Sequence, residues 1–259
     1  MDHIMSGQRD GLATYLSTST TSQSIDLETP AVALAIGAHP DDIEFGCGAT
    51  LAKWAQQGAE IHIAILTDGR RGTWNREQDQ VALALSRQDE ARAAATVLGA
   101  SPPTFLQQID GELRATPSLI VRLVALLRSV RPTVLLTHDP WKRYRLHPDH
   151  RIAGEVVIDA LVQARDESFW PELSLPATRP TSLLLFEADV EDHSEIIEEP
   201  HMYTKAKALA CHRSQYPSSY GLAIDSPNPE QEILTRLLAV ASEPGSDLLV
   251  EHFKLITDL

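Results

Sequence analysis

The chain has 259 residues, is 43% hydrophobic and carries a formal net charge of -14. That length and apolar share are enough for one large α/β domain, while the acidic balance argues against a broad phosphate-binding face and against DNA or RNA as partner. Two cysteines, Cys47 and Cys211, exclude a disulfide framework.

Residues 1–28 are polar and rich in Ser and Thr, and read as a flexible arm ahead of a single domain over 29–259. The chain opens without a basic region followed by an apolar one, and no apolar run reaches membrane-spanning length. A cytoplasmic protein without a membrane span is therefore expected.

The first strand is Ala31 to Ile36, followed by a helix through Thr50, Leu51, Trp54 and Ala55 that Gly58 closes. Glu60 to Leu66 alternates and reads as a second strand, and the loop Thr67 to Trp74 leaves it. Glu77 to Leu98 is Ala-rich and charge-laced, a long helix stopped by Gly99. A short strand at Thr104 to Leu106 precedes an amphipathic helix, Pro117 to Val130, which Pro132 prevents from continuing. Val134 to Thr137 is the next buried strand, and a helix is expected over His150 to Ala164. Beyond it, Ser182 to Phe186 is strand-like, Tyr203 to Cys211 and Glu230 to Ala241 are helical, and Leu248 to Ile256 is mixed. Strands alternating with helices predict an α/β fold with a mainly parallel sheet flanked by helices.

Two clusters of imidazole and carboxylate groups lie beyond buried strands: His39-Pro40-Asp41-Asp42 and His147-Pro148-Asp149-His150. In open α/β sheets the chemistry sits past the carboxyl ends of the strands, so the two clusters can converge. Taken alone, an Asp-Asp pair is a turn or helix cap more often than a ligand, and a lone buried His is usually a satisfied core residue. Together they offer three ligands for a catalytic cation: His39 and Asp42 from one loop and His150 from the other. Zn2+ is the expected ion, and the same donors suit Fe2+, Mn2+ or Co2+. Asp41, beside the ligands, is placed to act as general base. His147, with Asp149 holding its proton, is placed to donate to a developing oxyanion or a leaving amine. A water-activating ion, a base and a donor are what amide hydrolysis requires.

Gly37 to Gly58 (GAHPDDIEFGCGATLAKWAQQG) followed by LTDG at Leu66 to Gly69 resembles the LmbE-like, or PIG-L, deacetylase superfamily. Arg145 to Val157 (RLHPDHRIAGEVV) is similar to that family's second signature. Weaker likeness continues in Arg87 to Gly99, Glu191 to Ile197 and Lys205 to Gln215. The resemblance implies a Rossmann-like fold and hydrolysis of an N-acyl group, chiefly acetyl, from an amino-sugar conjugate. It assigns metal ligation to His39, Asp42 and His150, the base to Asp41, the electrostatic or acid role to His147 and the orienting role to Asp149. Some members carry a Tyr two residues before the catalytic His, where it assists the carbonyl oxygen; here Arg145 stands there and Tyr144 precedes it, so that Tyr144 reaches in from a shifted loop, Arg145 contributes differently, or neither acts. Arg70 and Arg71 could hold a sugar hydroxyl or an anionic aglycone, or be ordinary solvated charges, as could Lys142 and Arg143. His212 and Gln215 could close one side of the pocket or serve a helix end. Cys47, next to glycines, reads as close packing. Trp74 and Trp141 could stack on a sugar or cover the core.

The expected partner is a small N-acylated amino-sugar or thiol conjugate, with no nucleic acid, and the sequence leaves a homo-oligomer open. The rivals to a deacetylase are an amidase cleaving thiol S-conjugates and a metal-retaining carbohydrate-binding protein without turnover. Nothing in the glycine pattern signals nucleotide binding.

Overall fold

A computed structural model describes residues 23–241 and 248–259. Eight strands form one sheet: β1 (Ser24–Ile25), β2 (Val32–Gly37), β3 (Glu60–Thr67), β4 (Thr104–Gln108), β5 (Val134–His138), β6 (Ser182–Phe186), β7 (His193–Ile197) and β8 (Leu249–Ile256). Their spatial order is β1-β7-β8-β6-β5-β2-β3-β4. Strands β6, β5, β2, β3 and β4 are mutually parallel. Only β8 runs against its neighbours, β6 and β7. The expected mainly parallel α/β sheet is what the chain forms.

Among the described residues six α-helices flank it: α1 (Asp42–Gln56), α2 (Gln80–Leu98), α3 (Pro117–Val130), α4 (Pro148–Ala164), α5 (Glu199–Ala210) and α6 (Pro229–Ala241). The alternation of β2 explains the two layers. Leu34 and Ile36 face a core built with Leu119, Leu123 and Val124 of α3 and Val156 and Ala160 of α4. Ala33 and Ala35 face the other core, with Leu51 and Trp54 of α1 and Ala91 and Ala94 of α2. A strand covered on both faces is apolar at every position, which is why β2 and β5 read as unbroken apolar runs.

Several boundaries differ from the sequence reading. Helix α2 begins at Gln80, not Glu77, because Asp79 caps it by accepting from the Val81 and Ala82 amides. Helix α4 begins at Pro148, with His147 at its N-cap, so His150 lies in the first turn. Strand β7 has no counterpart among the expected elements, although its burial alternates along HSEII. The mixed segment at the end is strand β8, in the sheet interior between β6 and β7. Of the expected arm 1–28, residues 1–22 lie outside the described residues. Ser24 and Ile25 pair in parallel with His193 and Ser194, and Asp26 bonds Lys53, so the end of that segment is tied to the domain.

Chain order supplies the position of the site. From β2 the chain moves outward to β3 and β4, then returns to the other side of β2 to form β5 and β6. Such a reversal leaves a crevice between β2 and β5 at their carboxyl ends, where the loops after Gly37 and His138 lie side by side. Gly154 lets α4 approach that crevice: a Cβ there would stand 2.5 Å from the His138 carbonyl oxygen.

Candidate metal centre and active site

The turn from β2 into α1 delivers His39, Asp41 and Asp42, and the first turn of α4 delivers His147, Asp149 and His150. His39 Nδ1 is 3.2 Å from His150 Nε2 and 3.3 Å from Asp42 Oδ2. His150 Nε2 is 3.3 Å from Asp42 Oδ1. Tetrahedral bonds of about 2.0–2.1 Å place ligand atoms about 3.3 Å apart, the separation of the two imidazole nitrogens, each of which meets a different oxygen of Asp42. Three overlapping sets of side chains here are close enough to hold a cation: His39-His147-His150, Asp42-His138-His150 and His39-Asp110-Asp149. The expected trio takes His39 and His150 from the first and Asp42 from the second. Its mixture of two imidazoles and one carboxylate is a donor set that suits a divalent transition metal.

The surrounding groups orient the three. His39 Nε2 lies 3.2 Å from Asp149 Oδ2 and 3.2 Å from Asp110 Oδ1. Asp42 Oδ2 accepts the His39 amide at 2.7 Å and lies 3.1 Å from His138 Nε2. Burial would raise the Asp42 carboxyl, yet the imidazoles of His150, His138 and His39 hold it well below the usual range. Burial would lower His39, yet Asp42, Asp110 and Asp149 hold it well above the usual imidazole value. Burial likewise opposes ionisation of Asp110, but its bond to His39 brings it down to about 2. Buried imidazoles facing buried carboxylates are what a cation site looks like when protons stand in for the metal.

Asp41 occupies the N-cap position of α1 at φ 107° and makes no side-chain cap bond. The helix-cap reading of this Asp therefore fails. A left-handed backbone at a non-glycine residue costs roughly 1–3 kcal/mol and gathers at functional sites. Arg87 of α2 holds it there: its guanidinium donates to Asp41 Oδ1 at 3.1 Å, to the Gly69 carbonyl at 2.9 Å and to the Pro40 carbonyl. Burial is the main cause that raises the Asp41 carboxyl, to about 6, against the opposing charges of Arg87 and His212.

The second loop departs from expectation in one respect. The Asp149 carboxylate does not hold the His147 proton. Besides His39 it accepts the Gly111 amide at 2.6 Å and the Leu113 amide at 3.3 Å, because α4 turns it inward. His147 instead accepts the Asp149 backbone amide on Nδ1 at 3.3 Å, which leaves the proton of the neutral ring on Nε2. Burial, then the neighbouring His39 and His150, depress the His147 pKa.

The expected substrate contacts are mostly engaged elsewhere. Arg71 donates to the Asp110 carbonyl at 2.5 Å and pairs with Glu112, bracing the loop after β4. Arg70 is half-exposed and donates to Asp68 at 2.7 Å. Tyr144 is 93% exposed, which separates it from the buried cluster. Arg145 turns inward to His150 and Glu187. His212 is fully buried with Nε2 3.5 Å from Glu44, behind Asp41, so it cannot meet a substrate directly. Gln215 is buried as well and donates to the Gly72 carbonyl at 3.1 Å, fastening the loop after β3. Cys47 packs within a kink of α1, as expected. Trp74 and Trp141 are exposed and cover no core. Trp74 stands at the rim of a cleft of about 650 Å³ lined also by Gln78, Glu90 and Arg213.

Sequence reasoning missed Arg87, Asp110, His138 and Glu187. His138 ends a buried strand, as His39 follows one, and that parallel was the available signal. Asp110 and Glu187 also follow strands, but as single acids without a neighbouring His.

Residues 34–161 match the family model described as "PIG-L: GlcNAc-PI de-N-acetylase". The chain is 32% identical over 194 residues to diacetylchitobiose deacetylase of Thermococcus kodakarensis, covering 71% of this chain and 70% of that protein. It is 32% identical over 174 residues to 1D-myo-inositol 2-acetamido-2-deoxy-alpha-D-glucopyranoside deacetylase of Rhodococcus erythropolis, covering 57% of this chain and 58% of that protein. Its structure is similar to that of N,N'-diacetylchitobiose deacetylase from Pyrococcus horikoshii in complex with an inhibitor, with a TM-score of 0.76 and 26% identity over 88% of this chain and 84% of that one.

Proposed function

The chain belongs to the PIG-L family of GlcNAc-PI de-N-acetylases, and from that premise we propose that it is a metal-dependent hydrolase that removes an N-acetyl group from an amino-sugar conjugate. The relatives named above act on acetamido sugars, which supports the substrate class. The observation that carries the reaction is the convergence of His39 Nδ1 and His150 Nε2, 3.2 Å apart, on the two oxygens of Asp42, each at 3.3 Å, with Asp41 beside them.

Those three residues would hold the cation. A zinc-type ion supplies Lewis acidity, lowering the pKa of water and polarising a carbonyl. The protein's own groups do the rest. Asp41, kept from full ionisation by burial and aimed by Arg87, accepts the proton of the attacking water. Its value of about 6 lies close to neutrality, where a base both exists in the right form and still binds a proton. Burial and the neighbouring imidazoles depress His147 below the ordinary imidazole value, so at neutral pH its ring is a neutral donor. Its Nε2–H can donate a hydrogen bond to the developing oxyanion, and the proton that Asp41 has taken from the water passes to the leaving amine. Asp149 and Asp110 keep His39 Nε2 protonated and leave Nδ1 as the liganding atom. The free thiols of Cys47 and Cys211 fit a reducing, cytoplasmic setting.

The test is metal content and acetate release on one preparation, with N-acetylated amino-sugar conjugates and thiol S-conjugates as substrates. About one metal per chain, with acetate release lost on chelation and restored by zinc, is the expected result. Turnover that survives complete chelation would overturn the metal-dependent reading, and turnover of S-conjugates alone would replace its substrate class.

A further inference from the structure

Glu187 immediately follows β6 with φ 56°, a left-handed conformation that favours glycine. One of its oxygens, Oε2, faces three nitrogens: Arg145 Nη1 at 2.5 Å, His138 Nδ1 at 3.3 Å and His150 Nδ1 at 3.8 Å. Both imidazoles touch Asp42 through their other nitrogen, at 3.1 Å for His138 and 3.3 Å for His150. A single carboxylate thus stands behind two rings that meet one liganding carboxylate.

The tautomer of His150 makes this arrangement directional. Its Nε2 faces His39 and Asp42, and a neutral imidazole can ligate there only if the proton sits on Nδ1. In the structure, Nδ1 lies 2.8 Å from Arg145 Nη1, a guanidinium nitrogen that donates and cannot accept. That pairing suits the opposite tautomer. The carboxylate that faces Nδ1 and can accept its proton is Glu187, 3.8 Å away. Ligating histidines usually give their second N–H to such a carboxylate, which fixes the ring and strengthens the ligand.

We infer that Glu187 is the positioning residue for the metal-ligand layer, accepting the Nδ1 proton of His150 when Nε2 binds the cation, and that Arg145 competes for the same ring nitrogen. The inference rests on the proposed metal centre. Arg145 then occupies its motif position as a counter-charge within the protein and not as a substrate contact; its side chain is only 10% exposed. The two residues have opposite effects on affinity: Glu187 favours the liganding tautomer of His150, whereas Arg145 favours the other.

The test compares the wild-type protein, Glu187→Gln and Arg145→Gln by zinc titration against a competing chelator, with thermal midpoints of the metal-free proteins as control. Glu187→Gln should bind zinc about 10–100-fold more weakly at a temperature where the metal-free variant is still fully folded, and Arg145→Gln should bind it as tightly as wild type or more so. With 15N-labelled histidine, the zinc-loaded wild type should show a protonated His150 Nδ1, and Glu187→Gln should lose the protection of that proton from exchange. Wild-type affinity in Glu187→Gln, or equal weakening in both variants, would overturn the assignment while leaving the metal centre intact. A wild-type protein that binds no zinc would overturn the centre and this assignment together.

Discussion

Two buried charged clusters in this molecule follow opposite rules. Lys53 on α1 donates to Asp26 at 2.6 Å and to Glu195 at 2.9 Å. Glu195 also accepts the Leu27 amide and pairs with His193, each at 2.9 Å, and Asp26 accepts the Ile196 amide at 2.8 Å. Both carboxylates there are met by a cation and by backbone donors, and the cluster ties β1 and β7 to α1. At the carboxyl ends of β2 and β5, by contrast, His39, Asp42 and His150 converge on one another, and two further acids crowd behind His39. The first cluster has resolved its electrostatics internally. The second remains crowded with groups whose protonation is displaced, as expected where a ligand or a reaction supplies the missing charge.

Substitutions can separate the two. His39→Ala should abolish stoichiometric metal binding and with it all metal-dependent turnover, read by competition titration and acetate release; undiminished metal affinity would remove His39 from the ligand set. Asp41→Asn should keep the metal and lower kcat by about 10²–10⁴, and near-normal turnover would remove Asp41 from its role as base. In the other cluster, Lys53→Met leaves Glu195 buried without its cation. It should cost about 3 kcal/mol in denaturant unfolding, with kcat unchanged, since Lys53 touches no group of the site; a large kcat effect would show the clusters to be coupled. The smallest effect belongs to Asp26, whose side chain is 40% exposed. Burial opposes it, but Lys53 and the Ile196 amide lower its pKa below the ordinary 3.8. Its contribution is therefore present above pH 3.8 and lost as the pH falls through the lowered value. Asp26→Asn should cost under about 1 kcal/mol and remove that part of the acid sensitivity, seen by comparing unfolding midpoints at pH 7 and pH 3.

The residues legible in the sequence share one property: they act as local groups within a few positions of one another. His39 and Asp42, or His147 and His150, are three residues apart, and a turn or the first turn of a helix suffices to bring each pair together. Arg87 lies 46 residues from Asp41 and Glu187 lies 42 from Arg145, so no window of sequence shows either pairing. Asp149 was legible as a site residue but not in its role, since only the direction of the first turn of α4 sends its carboxylate to His39 rather than to His147. Tyr144 and Arg145 show the same limit. Adjacent in sequence and both polar, they part at a left-handed Tyr144 (φ 60°), one into solvent and the other into the cluster.

Local sequence was enough to specify the α/β class, the apolar strands and the two histidine-aspartate clusters, because periodicity, strand termini and short-range ligand spacing are properties of contiguous residues. It did not determine β7 or the place of β8 in the sheet, since pairing partners more than fifty residues apart are chosen by the packing of the whole sheet. The packed fold sets which nitrogen of each imidazole faces which carboxylate, and it brings Arg87 and Glu187 behind the reacting groups. Those contacts arise where the ends of separate strands meet, and their energies depend on burial and on distances of about 3 Å that local order in the chain does not encode.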